Sequence, residues 1–124
     1  MKTKHFRDLQ IWQRSMQLAK NVYAVTEQFP KSETFGLTSQ LRRAAVSVPS
    51  NIAEGQGRLT DKLFAVFLGQ ARGSLFELET QLELACGLGF LDDQKVEPLL
   101  KECAEIARML NGLLNTIKTK NGQQ

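Results

Sequence analysis

Residues 60–87 read TDKLFAVFLGQARGSLFELETQLELACG, and this stretch decides the fold. Phe64, Leu68, Ala71, Leu75, Leu78, Leu82 and Ala85 recur at alternating steps of four and three. That spacing lays them along one stripe of an α-helix. Thr60 is a good N-cap and Asp61 places an acid in the first turn. Gly87 and Gly89 supply the stop. A helix over 60–87 follows, and so narrow a stripe must be buried against partner helices that carry the same pattern.

Working outward, three such partners are found. Val96, Leu99, Cys103, Ile106, Leu110, Leu113 and Ile117 predict a helix over about 93–118, with a loose polar tail at 119–124. Pro98 sits awkwardly in it, implying either a later start or a separate first turn. Upstream, Leu37, Leu41, Ala44, Val48 and Ile52 predict a helix over about 34–54, stopped by Gly55 and Gly57 and kinked at Pro49. Leu9, Trp12, Met16, Ala19, Tyr23 and Thr26 predict a helix over about 8–28, closed by Phe29-Pro30. Helices of this length joined by short turns lie antiparallel to their neighbours. The expected fold is all-α: a single antiparallel up-and-down four-helix bundle domain over 1–124, with a kinked second helix.

Composition narrows the class. At 124 residues, 42% hydrophobic and 23% charged, the chain is an ordinary globular domain. It has no apolar run of membrane-spanning length and no apolar leader in its charged first ten residues, so a cytoplasmic location is expected. Cys86 and Cys103 fall at different distances from the turn between the last two helices, offset on the order of 10–15 Å, too far for a disulfide. Both read as small core residues. His5 is the one histidine, so no metal site or cofactor is expected.

The same scarcity argues against catalysis. Ser47 and Ser74 have no histidine partner for a hydrolase triad. Glu54, Glu77, Glu79 and Glu83 could pair, but the Glu-x-x-His motifs of di-iron bundles are missing. The segment 50–57 lacks the lysine and glycine spacing of a phosphate loop. No enzyme is expected.

Helices one and three carry a second apolar face. Ile11, Leu18, Val22, Val25 and Phe29 lie roughly opposite the first stripe of helix one, and Val66, Gly69, Gly73 and Phe76 opposite that of helix three. Either these residues fill a broad core or they meet another copy. Helices one and three occupy opposite corners of an up-down bundle, which suits head-to-tail contact and a closed ring of copies. The nine residues are therefore the candidate oligomer interface.

Gln40, Arg43, Ser47, Asn51 and Glu54 form a polar stripe on helix two, facing Arg72, Ser74, Glu77 and Gln81 of helix three. Arg43 should stand within reach of Glu77. The stripe reads either as a functional cleft or as a hydrogen-bonded structural network. The net charge of +3 is unevenly spread, with eight acidic against three basic groups in 73–110. Arg42, Arg43, Arg58, Lys62 and Arg72 form the candidate nucleic-acid surface, able to track a phosphate backbone without reading its sequence.

Several stretches carry a family resemblance: Phe6-Arg7-Asp8-Leu9-Gln10-Ile11-Trp12, then Phe29-Pro30 with Glu33 and Phe35-Gly36-Leu37, and above all Gln40 through Gly55 with its Arg42-Arg43-Ala44-Ala45-Val46-Ser47-Val48-Pro49-Ser50-Asn51 run. Gly57-Arg58, Ala71, Gly73-Ser74-Leu75 and Glu77-Leu78-Glu79 also fit. Over about residues 6–115 the chain resembles the four-helix-bundle family encoded by intervening sequences in bacterial 23S ribosomal RNA genes. The resemblance implies a bacterial cytoplasmic protein that assembles as a five-membered ring. It also implies kinship with accessory proteins of diversity-generating retroelements, whose basic surface binds nucleic acid and the reverse transcriptase. The expected function is a non-enzymatic ring-forming bundle that binds RNA or DNA backbone. The alternative is a structural scaffold, or a module for a protein partner, with no nucleic-acid role.

Overall fold

In the computed structural model, residues 5–120 are described. A 3-10 turn at Phe6–Asp8 leads into α1, Gln10–Thr26; a second 3-10 turn at Lys31–Glu33 precedes α2, Leu37–Gln56; then come α3, Asp61–Gly87, and α4, Asp93–Lys120. Each helix packs on its chain neighbours, and α4 closes back onto α1, leaving α1 diagonal to α3 and α2 diagonal to α4. This is the expected up-and-down bundle.

Local chemistry explains the boundaries. Leu63 N donates to Thr60 Oγ1 at 3.2 Å at the start of α3, and Lys95 N to Asp92 Oδ1 at 3.0 Å at the start of α4. The Glu33 carboxylate accepts from Leu37 N at 3.0 Å, a cap at the start of α2, which begins at Leu37, the first residue of the apolar pattern, rather than near residue 34. At the end of α3, Gly89 adopts a left-handed φ of 83°. Its N–H donates to Cys86 O at 3.0 Å, and Phe90 N donates to Ala85 O at 2.9 Å, the pairing of a Schellman stop. Phe90 then packs on Phe29, with ring centroids 5.7 Å apart, tying the two upper turns together.

Three boundary expectations are corrected. α2 runs through Gly55, because Gly55 is buried where α3 crosses it. A Cβ there would lie 2.8 Å from Phe67 Cβ and 3.0 Å from Phe64 Cδ1. α4 passes through Pro98 from an Asp93 start, with neither a later start nor a separate first turn. It also reaches Lys120, so Thr119 and Lys120 are helical, while 121–124 lie outside the described residues.

The core is built from Leu68, Leu75, Leu78 and Leu82 of α3, Leu41, Val48 and Ile52 of α2, and Cys103, Ile106 and Leu110 of α4, all fully buried. On α1 the face expected outside turns inward, while Ala19 and Thr26 of the face expected inside are buried as well. Ile11, Leu18, Val22 and Phe29, expected at an oligomer interface, are buried in the bundle, and Val25 is half-buried against it. Of the face expected inside, Trp12 and Met16 are only half-buried and Tyr23 is 42% exposed. Compact aliphatic side chains fill a narrow bundle centre in good rotamers, whereas the large rings of Trp and Tyr keep one edge at water.

Candidate functional site

The five predicted cations do not form one patch. Arg42 is turned onto α1: its Nε donates to Thr26 Oγ1 at 2.8 Å, its Nη2 to Tyr23 O at 3.3 Å, and its guanidinium lies 4.5 Å from the Tyr23 ring centroid. Arg43 is exposed and donates to Ser39 Oγ at 3.3 Å. Arg58 lies a further fifteen residues along the chain, about 22 Å of helix axis. It pairs with Glu54 at 2.8 Å and covers Phe67.

Lys62 and Arg72 join a different group. With Lys118 they line a cleft of about 850 Å³ between α3 and α4, beside Asp61, Leu114 and Asn115. Arg72 Nη1 donates to Asn111 Oδ1 at 2.6 Å, and Lys120 pairs with Asp61 at 3.3 Å. Lys118 and Lys120 do not stand out in the sequence as partners of Arg72 because 46 and 48 positions separate them from it. The signal was present in the topology: α4 must end where α3 begins.

Charge is thus segregated along the bundle. The half built from residues 5–18, 47–73 and 107–120 holds eight basic and three acidic side chains, and the half built from 19–46 and 74–106 holds six basic and ten acidic.

The predicted polar network is assembled between α2 and α3. Ser47 and Ser74 share a hydrogen bond at 2.8 Å. Asn51 Nδ2 donates to Ser47 O at 2.9 Å and to Ser47 Oγ at 3.0 Å. Gln81 joins through its amide nitrogen to Gln40 Oε1 at 3.4 Å and Glu77 Oε2 at 3.5 Å. Glu54 lies apart, bound to Arg58. Arg43 and Glu77 line one cleft of about 360 Å³, yet no ion pair joins them.

Two apolar faces look outward. Val66 and Phe76 are half-exposed on α3, and nothing approaches within 4 Å of a Cβ placed on Gly69 or Gly73. Between α1 and α2, Trp12, Met16, Tyr23, Val46, Pro49 and Ala53 line a groove of about 520 Å³ with Lys20 at its rim. The α3 face is the predicted one, and the groove replaces the predicted face of α1.

Neither cysteine is poised for chemistry. Cys103 is fully buried, and burial pushes its thiol up to about 12. Cys86 is half-buried rather than in the core, and its hydrogen bond to Asp93 Oδ1 at 3.2 Å raises its pKa. Among the described residues no group of three histidine, cysteine, aspartate or glutamate side chains could hold a metal ion, and no helix is long and apolar enough to cross a membrane.

Fold and surface together define an antiparallel four-helix bundle with one basic end and two apolar outer faces. The sequence matches the model of the 23S rRNA-intervening sequence protein family over residues 7–112, and the chain belongs to that family. Its fold is similar to the crystal structure of a protein of unknown function from the S23 ribosomal protein family of Bacteroides thetaiotaomicron. The TM-score is 0.76 at 20% identity, over 84% of this chain and 97% of that one. No curated protein matches the sequence significantly.

Proposed function

We propose that this protein is a non-enzymatic, cytoplasmic, self-assembling bundle that holds nucleic-acid phosphates at its basic end. The segregation of charge along the axis carries the reading. Eight cations against three anions in one half create a local positive field that the net charge of +3 conceals. Lys62, Arg72 and Lys118 line one cleft there, placed to neutralise neighbouring phosphates and release their counterions. Copies joined head to tail, the α3 face of one on the α1–α2 groove of the next, repeat that end around a ring; five copies is the number that family resemblance suggests.

Fluorescence anisotropy with labelled structured RNA, single-stranded RNA and duplex DNA at several salt concentrations tests the first part. Binding should weaken steeply with salt. Changing Lys62, Arg72 and Lys118 together to alanine should lower the logarithmic salt slope on duplex DNA by about 2–3. Absence of binding at low salt would sink the reading. A scaffold for a protein partner, such as a reverse transcriptase, would then stand in its place. Light scattering tests the second part: an assembled mass that falls to that of a monomer in Val66→Asp with Phe76→Asp is expected, and a monomeric native protein would end it.

A further inference from the structure

The two ends of the bundle are opposite in charge. At one end the start of α1, the α2–α3 turn and the close of α4 bring together Arg7, Arg58, Lys62, Lys118 and Lys120, against Asp8, Glu54 and Asp61. At the other end the α1–α2 and α3–α4 turns, joined by Phe29 and Phe90, carry Glu27, Glu33, Glu83, Asp92, Asp93 and Glu97 against Lys31 and Lys95. Some of these groups are engaged within the chain: Lys120 holds Asp61, Arg58 holds Glu54, and Glu33 and Asp92 cap helices. Lys62 and Lys118 at one end, and Glu83 and Glu97 at the other, are exposed and make no ion pair among the described residues.

Each end also presents a large apolar side chain to water. Leu59, in the α2–α3 turn, is 99% exposed, and Phe35, in the α1–α2 turn, is 97% exposed. The other exposed large hydrophobics among the described residues are 55% exposed or less. Leu63 follows Leu59 into α3, and Leu88 ends α3 at the Phe35 end, both of them exposed as well. Side chains so exposed add nothing to the bundle's own core, and charges of opposite sign surround the two groups.

We infer that copies of this chain dock end to end, the basic Leu59 end of one on the acidic Phe35 end of the next. Nucleic acid or an anionic membrane would use the basic end alone and leave the acidic end and Phe35 without a role. A second copy supplies both the opposite charge and an apolar surface at each contact. Contact between unlike ends runs along the bundle axis and does not close, so it builds an open row. A ring closed through the lateral faces has a fixed mass instead. Lys62 and Lys118 are also the phosphate-holding residues proposed above, so end-to-end contact and nucleic acid exclude each other. The inference itself does not rest on that reading.

The test uses the native protein free of nucleic acid, in sedimentation and small-angle scattering over a range of concentration and salt. At low salt the mass should rise with concentration without a plateau. The longest dimension should grow in steps of about 40 Å, the length of the 27-residue α3. Physiological salt should shorten the rows, because exposed charges are screened beyond about 8 Å. Lys62→Glu with Lys118→Glu should abolish growth, and so should Glu83→Lys with Glu97→Lys, with melting curves showing that each variant is folded. Mixed in equal amounts the two variants should grow again, since every contact between them pairs opposite charges. Leu59→Ser and Phe35→Ser should each weaken association about tenfold. A mass independent of concentration at low salt would overturn the inference, and that result stands on the native protein even where a variant does not fold. Growth that persists in both charge variants, or that fails to return when folded variants are mixed, would overturn it as well. Sedimentation with anionic vesicles by a protein that forms no rows would assign the basic end to lipid in its place.

Discussion

Arg42 Nε donates to Thr26 Oγ1 at 2.8 Å, across sixteen positions of sequence, and this bond makes a bracket of a residue that reads as a surface cation. Arg42 is held in addition by the Tyr23 carbonyl and ring, so three contacts join α2 to the end of α1. Arg42→Ala should therefore lower stability by about 1–2 kcal/mol. Its salt-dependent binding to RNA or DNA should stay at the native level. Chemical denaturation and anisotropy on one preparation separate the two effects, and lost binding without lost stability would contradict this assignment.

Arg14 and Glu102 form the corresponding link between α1 and α4, two parallel bonds of 2.9 and 2.8 Å. Both side chains are about a third exposed, so solvent screens the pair. A double-mutant cycle with Arg14→Ala and Glu102→Ala should give a coupling of about 0.5–1 kcal/mol. Arg14→Lys should lose most of it, since an ammonium cannot make the paired contact. A coupling near zero would show the pair to be ornamental.

Two glycines should respond to alanine with opposite sign. At Gly55 the added methyl meets Phe67 Cβ at 2.8 Å, where α2 and α3 approach closely, and a cost of about 1–3 kcal/mol is expected. At Gly73 it meets nothing within 4 Å, so the helix should gain up to about 1 kcal/mol. The same Gly73→Ala change should weaken self-association, because it thickens the outer face of α3. Thermal melts of dilute protein and light scattering of concentrated protein test both halves.

Glu79 supplies a pH signature. Burial, and secondarily the charge of Glu83 one turn away, raises its pKa in the folded protein. A carboxylate with a raised folded pKa favours folding while protonated, and that contribution is lost as pH rises through the folded pKa. Glu79→Gln should therefore be somewhat more stable than the native protein at pH 7. The difference should shrink as pH falls below the ordinary carboxylate range. A gap independent of pH would assign the effect to packing.

The sequence is legible where a residue's neighbours along one helix decide its environment. The stripe from Phe64 to Ala85, the cap at Thr60 and the stop at Gly89 need only local geometry, and each is realised. The resemblance of 6–115 to the intervening-sequence family holds likewise, because it rests on a long run of residue identities. Ser47 and Ser74 both belong to the polar stripe read between helices two and three, and a bond joins them.

Tertiary structure alone decided the rest. α1 offers two apolar faces of similar strength, and periodicity cannot rank them. Only the width of the space between α2 and α4 selects Ile11, Leu18 and Val22 for the interior and leaves Trp12 and Tyr23 to border an outer groove. The cations behave the same way. Arg42, Arg58 and Lys62 look alike on paper, yet one is spent on Thr26, one on Glu54, and one is left beside Lys118 from the far end of the chain. A helix's own period is set by backbone geometry and is written in consecutive residues. The partner of a charge or of a second apolar face is set by which distant helix arrives beside it.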